Sequence, residues 1–559
     1  VAPIADAIVL GGTAPASATT GPRREVLRAL ALVIPWATLW LLWLALSACS
    51  PPFDNVEQLT WVRSLQWGYY KHPPLPTFLI APWVALFGLQ PGVSYGLGAA
   101  LTLTSLLVAW RVVRELRGAG DAWLALLGTL CVTYYNDRLH YYNHNTVLLL
   151  CVCIAAWACR RALARPSLAA WAVVGLALGA GALSKYQVGI AGVSVLACWV
   201  GERGWRHPLH RRGLLLALGL ALLLFVPHAA WLVRSGFLPV RYAMDSALAA
   251  HLEGGEHAAN VLMWIADQAN RLSPALLFLA LLVGVGGGRL RSAAGATGSA
   301  AGAAGSAAGA AGSAAGAEDS AAGAADSVTA GLAPRAHRAG GDPAARWFLF
   351  CWGALPLLLI ALVGLVCGAE LQRQWGTAFM AFTVPWLMGE LHGARWPAVC
   401  PRRALWLFAL VQLMVLAVDW ATSPLGPPAT VRQHNRNFAS AAIAQALARD
   451  AQQHLPGRLC VLAGPAGITS VLALRLPERP LVLLDGRREF SPWVPDRLPE
   501  GCNTAWVAPR PAGLPAGLPA PHALPGGLVW SAAGLAPPST PSAAPTRSSQ
   551  AALSPHALR

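Results

Sequence analysis

Long apolar runs separated by short basic clusters dominate the chain. About eleven of them reach membrane-crossing length, at about 27–48, 93–116, 121–136, 143–160, 167–183, 186–201, 213–231, 273–289, 347–367, 376–392 and 404–421. In hydrocarbon every backbone polar group must be satisfied within the segment, so such runs predict helices. Segment 76–90, PTFLIAPWVALFGLQ, is shorter and broken by Pro82. Counted as a span, it would put Arg111, Arg114 and Arg117 outside and invert every later loop. Read as a juxtamembrane or re-entrant helix, it leaves those arginines cytoplasmic together with Arg160/Arg161/Arg165, Arg203/Arg206/Arg211/Arg212, Arg289/Arg291 and Arg402/Arg403. The positive-inside rule therefore fixes the parity. Residues 1–26 become a cytoplasmic tail ending in Arg23 and Arg24, and 27–421 become a transmembrane domain.

Two stretches break the pattern. Residues 292–345 begin with repeating Ser-Ala-Ala-Gly-Ala units that offer little to a core, and predict a flexible cytoplasmic insertion. Beyond residue 422 the pattern turns soluble: an amphipathic helix is expected over Asn437–Leu455, short buried strands over Arg458–Ala463 and Pro480–Asp485, and a helix between them. This predicts a small external α/β domain over 422–510, followed by a disordered Pro/Ala-rich tail over 511–559.

Composition agrees with a membrane protein: of 559 residues 55% are hydrophobic and only 12% charged, and the mean hydropathy is +0.49. A soluble fold of that composition would expose large apolar patches. The net charge of +16 does not indicate nucleic acid, because the arginines sit at the ends of apolar runs as topology signals. The eleven cysteines show no metal-ligand spacing and mostly lie in apolar runs. Cys460 and Cys502 differ, since both fall in the external domain, where a disulfide is chemically allowed.

With this parity the polar residues of interest gather on one face, and the densest group is Phe53–Pro76, FDNVEQLTWVRSLQWGYYKHPPLP. If Asp54 to Trp67 is helical, Asp54 and Glu57 share a face at i and i+3, so two carboxylates point into one cavity; alternatively Asp54 merely caps the helix. Lys185 in the Ser184–Lys185–Tyr186 corner is either a functional cation or a side chain snorkelling to the interface. His72 reads equally as a phosphate contact or as packing beside Pro73–Pro74. Tyr69, Tyr70, Trp375 and the Tyr134–Tyr142 aromatics form either an interfacial belt or a sugar-stacking surface. Asn143 and its neighbours His144 and Asn145 face a cavity or cap a helix, and the same ambiguity holds for His228 and Trp231.

The segment FDNVEQLTWVRSLQWGYYKHPPLPTFLIAPWVALFG resembles the first periplasmic loop of the family 39 type glycosyltransferases, which include protein O-mannosyltransferases and lipid A aminoarabinose transferases. GLALGAGALSKYQVGI, QRQWG and PERPLVLLDGRREFSPWV resemble later family segments, and the resemblance covers about 25 to 505. It implies an all-α polytopic GT-C fold of about eleven spans plus juxtamembrane helices, with a small C-terminal α/β periplasmic domain. It further implies an inverting glycosyltransferase of a bacterial inner membrane. The donor would be a polyprenyl-phosphate sugar and the acceptor a lipopolysaccharide, a glycolipid or another envelope glycan.

An acceptor hydroxyl is too weakly acidic to attack without a base. Asp54 is the expected base, with Glu57 orienting the acceptor or standing as the alternative. Cations must meet the charge growing on the leaving phosphate, and Lys185 and His72 are the first candidates, with Arg241 and Arg271 behind them. Tyr69, Tyr70, Lys71, Asn143 and Trp375 are expected around the sugar and acceptor. Lys71 stands where relatives carry an acid, so no metal and no other cofactor is expected. Partners are the lipid-linked donor, the acceptor and membrane lipids. Protein O-glycosylation is one alternative. A transporter or flippase is another, although it would carry half-repeats and charges near the bilayer midplane.

Overall fold

The structure, a computed structural model, describes residues 21–245, 254–303, 342–391, 396, 399–430 and 435–533. Most of the expected cytoplasmic tail, the greater part of the low-complexity insertion and the end of the Pro/Ala-rich tail lie outside the described residues. The opening helix α1 (Pro22–Leu46) is followed by α2 (Phe53–Trp61), α3 (Leu75–Phe87), α4 (Pro91–Arg117), α5 (Ala119–Leu130), the single turn α6 (Thr133–Asn136), α7 (His144–Ala164), α8 (Leu168–Ala182), α9 (Val188–Gly201) and α10 (Pro208–Arg234). Next come α11 (Leu238–Ala243), α12 (Gly254–Ala303), α13 (Pro343–Gly353), α14 (Leu355–Cys367), α15 (Met380–Glu390) and α16 (Pro401–Thr422).

A helix falls on every one of the apolar segments, and the chain is a multi-pass membrane protein. Among the described residues α1, α4, α7, α10 and α16 each suffice by length and apolarity to cross a membrane, and α13 with α14, bent by 40°, forms either a broken sixth span or a re-entrant loop. Helix α12 runs for 50 residues, and the other apolar helices are shorter, so the even eleven-span ladder read from hydropathy becomes a mixture of long and short helices. Segment 76–90 is one of the short ones, as α3. Proline occupies the first turn of α1, α4, α10, α13 and α16, where its missing N–H costs nothing. Small residues let helices close: a Cβ at Gly175 on α8 would strike the Ala217 backbone of α10. The low-complexity insertion starts as a continuation of α12 as far as Ala303 rather than as coil.

At one end of the helices the basic clusters are laced with carboxylates, Arg114 to Glu25, Arg111 to Glu115 and Arg346 to Glu390. The opposite end carries the C-terminal domain, the one expected to be external: α17 (Ser440–His454), β1 (Arg458–Gly464), α18 (Ala466–Arg475), β2 (Leu481–Leu484), β3 (Cys502–Ala508), β4 (His522–Ala523) and β5 (Val529–Ala533). The sheet order is β2-β1-β3-β5-β4, with β1 parallel to β2 and β3, and β5 antiparallel to β3 and β4. Cys460 and Cys502 form a disulfide between β1 and β3.

Two expectations are corrected here. The domain does not stop at 510: residues 522–533 supply two strands, and Trp530 is fully buried in the domain core, so the disordered tail cannot begin at 511. Proline and alanine obscured strands of two and five residues. In addition, the helix expected over Asp54–Trp67 ends at Trp61, where the chain turns through Ser64 and Gly68.

A part-buried ion pair anchors the domain to the bundle. Asp419 at the end of α16 takes two hydrogen bonds from Arg436 Nη1, at 2.8 and 3.0 Å, and one from Trp43 Nε1 of α1 at 2.6 Å. The Arg436 carbonyl then accepts the amides of Cys49 and Ser50. Deep in the bundle, Gln412 of α16 accepts from both Trp36 and Trp40 of α1. Asp419→Ala would remove the carboxylate that Arg436 and Trp43 share, and is expected to cost roughly 1–3 kcal/mol. The check is a lowered melting temperature of the purified protein in detergent, with Asp419→Asn intermediate.

Candidate active site

Segments distant in sequence converge beside α2. Its buried Asn55 donates to Ser94 Oγ of α4 (2.9 Å) and to the His140 carbonyl (2.8 Å), and accepts from the Tyr142 amide (2.9 Å). Thr77 of α3 donates to Gln58 at 2.8 Å. The corner after α8 closes the ring: Ser184 Oγ donates to the His144 carbonyl, the Leu183 carbonyl accepts the Leu75 amide, and Tyr186 Oη meets His228 Nε2 at 2.8 Å. The external domain caps the group, since α18 packs on α2 so closely that a Cβ at Gly467 would overlap the Phe53 ring.

The two carboxylates, one helical turn apart, have different surroundings. Glu57 Oε1 lies 3.1 Å from Lys71 Nζ and accepts from Tyr70 Oη at 3.4 Å. Burial pushes the Glu57 carboxyl up, Lys71 opposes that, and nearby Asp54 adds to it. Burial would lower Lys71, but Glu57 first and then Tyr242 and Tyr70 overcome it and hold the ammonium charged. A divalent cation does not fit beside Glu57, because the Lys71 ammonium occupies that position.

Asp54 instead accepts from Asn143 Nδ2 at 2.8 Å. Asn143 also caps α7, its Oδ1 accepting the amides of Asn145 and Thr146, so the helix cap orients the carboxylate. Lys185 Nζ donates to Asn145 Oδ1 at 2.7 Å, and burial, partly offset by Asp54, lowers its pKa to about 7. The His72 and His144 rings lie against each other, centroids 3.6 Å apart and tilted by 37°. Burial, then Lys71 and Lys185, keep it neutral well below its ordinary range. It can offer a hydrogen bond but not the fixed positive charge expected of it.

The other expected residues divide. Tyr70 stacks on Phe490 of the external domain at 4.2 Å, edge-on to Tyr242. Tyr69 stacks on Trp61 at 4.5 Å and serves packing. Arg271 is buried, with its guanidinium 5.7 Å from the Tyr134 ring centre and its Nε without a hydrogen-bond partner. Arg241 is exposed on α11. Trp375 is half-buried in the helical core and its carbonyl accepts from Trp264; the structure does not bring it to the Asp54 group.

Sequence reasoning missed three contributors. Arg138 lies over the Tyr141 ring at 5.2 Å and within electrostatic reach of Asp54; an arginine in an external turn, against the topology rule, was the available signal. Asp485 and Phe490 come from the external domain, where Asp485 has φ +50° and accepts the Ala466 amide. They lie in the segment already singled out as DGRREF, but nothing local shows that it faces Tyr70 and Lys71.

A helical membrane domain with a buried polar group at one end, capped by a small α/β domain, is the GT-C architecture. The structure matches that of ArnT from Cupriavidus metallidurans bound to undecaprenyl phosphate, with a TM-score of 0.56 at 15% identity over 93% of this chain and 100% of that one. Residues 71–231 match the dolichyl-phosphate-mannose-protein mannosyltransferase family. The chain is also similar to the lipopolysaccharide core galacturonosyltransferase RgtA of Rhizobium johnstonii, 27% identical over 212 residues, which is 37% of this chain and 41% of the relative. It thus spans less than half the length of the curated relative it matches. These likenesses uphold the resemblance to the family 39 type, GT-C glycosyltransferases that the motifs carry.

Lys71→Met should strand a buried Glu57 carboxyl and destabilise the protein by roughly 2 kcal/mol, below the full buried-pair figure because Lys71 is partly exposed. The double variant Lys71→Met/Glu57→Gln should recover part of that loss. Thermal unfolding of the two single variants and the double in detergent measures the coupling.

Proposed function

We propose that the protein is an inverting glycosyltransferase that moves a sugar from a polyprenyl-phosphate donor to a lipopolysaccharide or related envelope glycan. The observation that carries this is the separation of Asp54 from Glu57. Glu57 is neutralised by Lys71, while Asp54 is oriented by Asn143 and remains the acidic group available to accept a proton. Asp54 takes the proton of the acceptor hydroxyl as its oxygen attacks the anomeric carbon, and the lipid phosphate departs with the bonding pair from the opposite side. Lys185 and Arg271, the latter with an unpartnered buried Nε, meet that charge. The fold shared with a protein crystallised with undecaprenyl phosphate supports the lipid-linked donor, and the similarity to a lipopolysaccharide core transferase supports the acceptor class. The disulfide of the external domain and the clustering of arginines at the other end support a periplasmic site in a bacterial inner membrane.

Asp54→Asn in proteoliposomes given radiolabelled polyprenyl-phosphate sugars should lose at least about 100-fold in transfer while still binding donor. Full transfer by this variant would overturn the base assignment, and no transfer by the wild type from any lipid-linked sugar would overturn the function.

Donor binding should also depend on pH through Lys185. Below about 7 its ammonium is charged, and above that it is increasingly neutral. KM for the donor is therefore expected to rise between pH 6 and 9, and Lys185→Arg, permanently charged, should flatten the rise. A wild-type KM independent of pH would remove Lys185 from the phosphate site.

A further inference from the structure

The external domain holds a second group of chemically apt side chains that the candidate active site does not use. Asp450 and His454 lie at i and i+4 on α17, and His522 lies on the edge strand β4. One ligand atom from each falls within 4.8 Å of the other two. His454 Nδ1 is 3.1 Å from Asp450 Oδ1, and His522 Nδ1 is 3.3 Å from Asp450 Oδ2. The two imidazoles pack with ring centroids 4.3 Å apart.

We propose that Asp450, His454 and His522 form a structural site for a divalent transition metal of the zinc class, stapling α17 to the last two strands of the sheet. The donor set of two imidazoles and one carboxylate suits zinc, whose ligand atoms in a tetrahedral shell lie roughly 3.3 Å from one another. Small rotations of these partly exposed rings close the shell. Solvent supplies the fourth ligand, as His454 is exposed. The surrounding contacts are those a metal site requires. The contact of His454 Nδ1 with the Asp450 carbonyl at 2.9 Å holds the ring beside the carboxylate. Trp530 Nε1 donates to Asp450 Oδ2 at 2.6 Å and fixes the carboxylate.

The placement also gives the metal a purpose. Strand β4 has only two residues, and its recorded pairings are to β5. A small α/β domain with such a short edge gains from a cross-link between helix and strand, and the disulfide at β1 and β3 secures the other side of β5.

The test uses the full chain, purified in detergent with a streptavidin-binding tag, stripped with chelator and dialysed against Zn2+. Elemental analysis should find one more equivalent of zinc in the wild type than in His454→Asn/His522→Asn. Zinc should raise the melting temperature of the wild type but not of the double variant. Equal zinc content in the two proteins would overturn the proposal. If the double variant does not fold, the wild type alone decides by imidazole modification with diethylpyrocarbonate. Zinc should protect His454 and His522, and equal labelling of both with and without zinc would overturn the site.

Discussion

The ion pair between Glu57 and Lys71 is the interaction on which the proposed chemistry rests. Two carboxylates one helical turn apart on a buried helix repel each other, and left alone one of them would be protonated. Lys71 relieves this by neutralising Glu57, which leaves Asp54 as the separate acid oriented by an amide. One pair of identical groups thus acquires two environments, the arrangement by which sites divide acid–base roles. The same lysine ammonium sits against Glu57 Oε1, an oxygen that a divalent metal would otherwise use.

The cations of the site sit where the helices break. Irregular backbone is tolerated at membrane depth only where protein or water covers it, and here the breaks between α2 and α3, between α6 and α7 and between α8 and α9 all occur at one end. Each break brings polar side chains: Lys71 and His72, Arg138 and Asn143, Ser184 and Lys185. The external domain covers them, with Phe490 on Tyr70 and α18 on α2. Trp61, Tyr69 and Tyr70 belong to the same apolar cluster as the core of that domain. The domain is therefore part of the wall of the site, and any hinge between it and the bundle would have to break a shared core.

Much of this was legible in the sequence, for identifiable reasons. Apolar runs and arginine clusters are properties of contiguous segments, so helix positions and the grouping of polar loops on one face follow from them directly. The Asp54/Glu57 pairing followed from helical spacing alone. Features that depend on packing at a distance were not legible. Hydropathy does not register that α5, α8, α9 and α15 are too short for full spans, because their flanks are apolar too. The strands at 522–523 and 529–533 are hidden by proline and alanine and become strands only by pairing with β3. His72 is pushed below its ordinary range chiefly by burial, with Lys71 and Lys185 adding to it, and that burial is set by packing against segments distant in sequence. Asp485 and Phe490 were within a recognised motif, yet their partner was the first loop.

The cap of α7 shows how the two kinds of information join. Asn143 is an ordinary cap in sequence terms, and its Oδ1 does satisfy the first amides of the helix. Because capping uses only the oxygen, its Nδ2 is turned outward and donates to Asp54. Asn145, two residues on, presents its own oxygen to Lys185. A single helix start thus holds the proposed base and the proposed phosphate partner, and their separation is set by the geometry of one turn of backbone rather than by flexible side chains. Functional and structural readings of Asn143 and Asn145 were competing alternatives on sequence, whereas in three dimensions the cap is the means by which the site is built. In the proposed reaction, a rigid helix that ends at Asp54 and Lys185 would hold them in place while a lipid-linked donor binds, which is where positioning contributes most to rate.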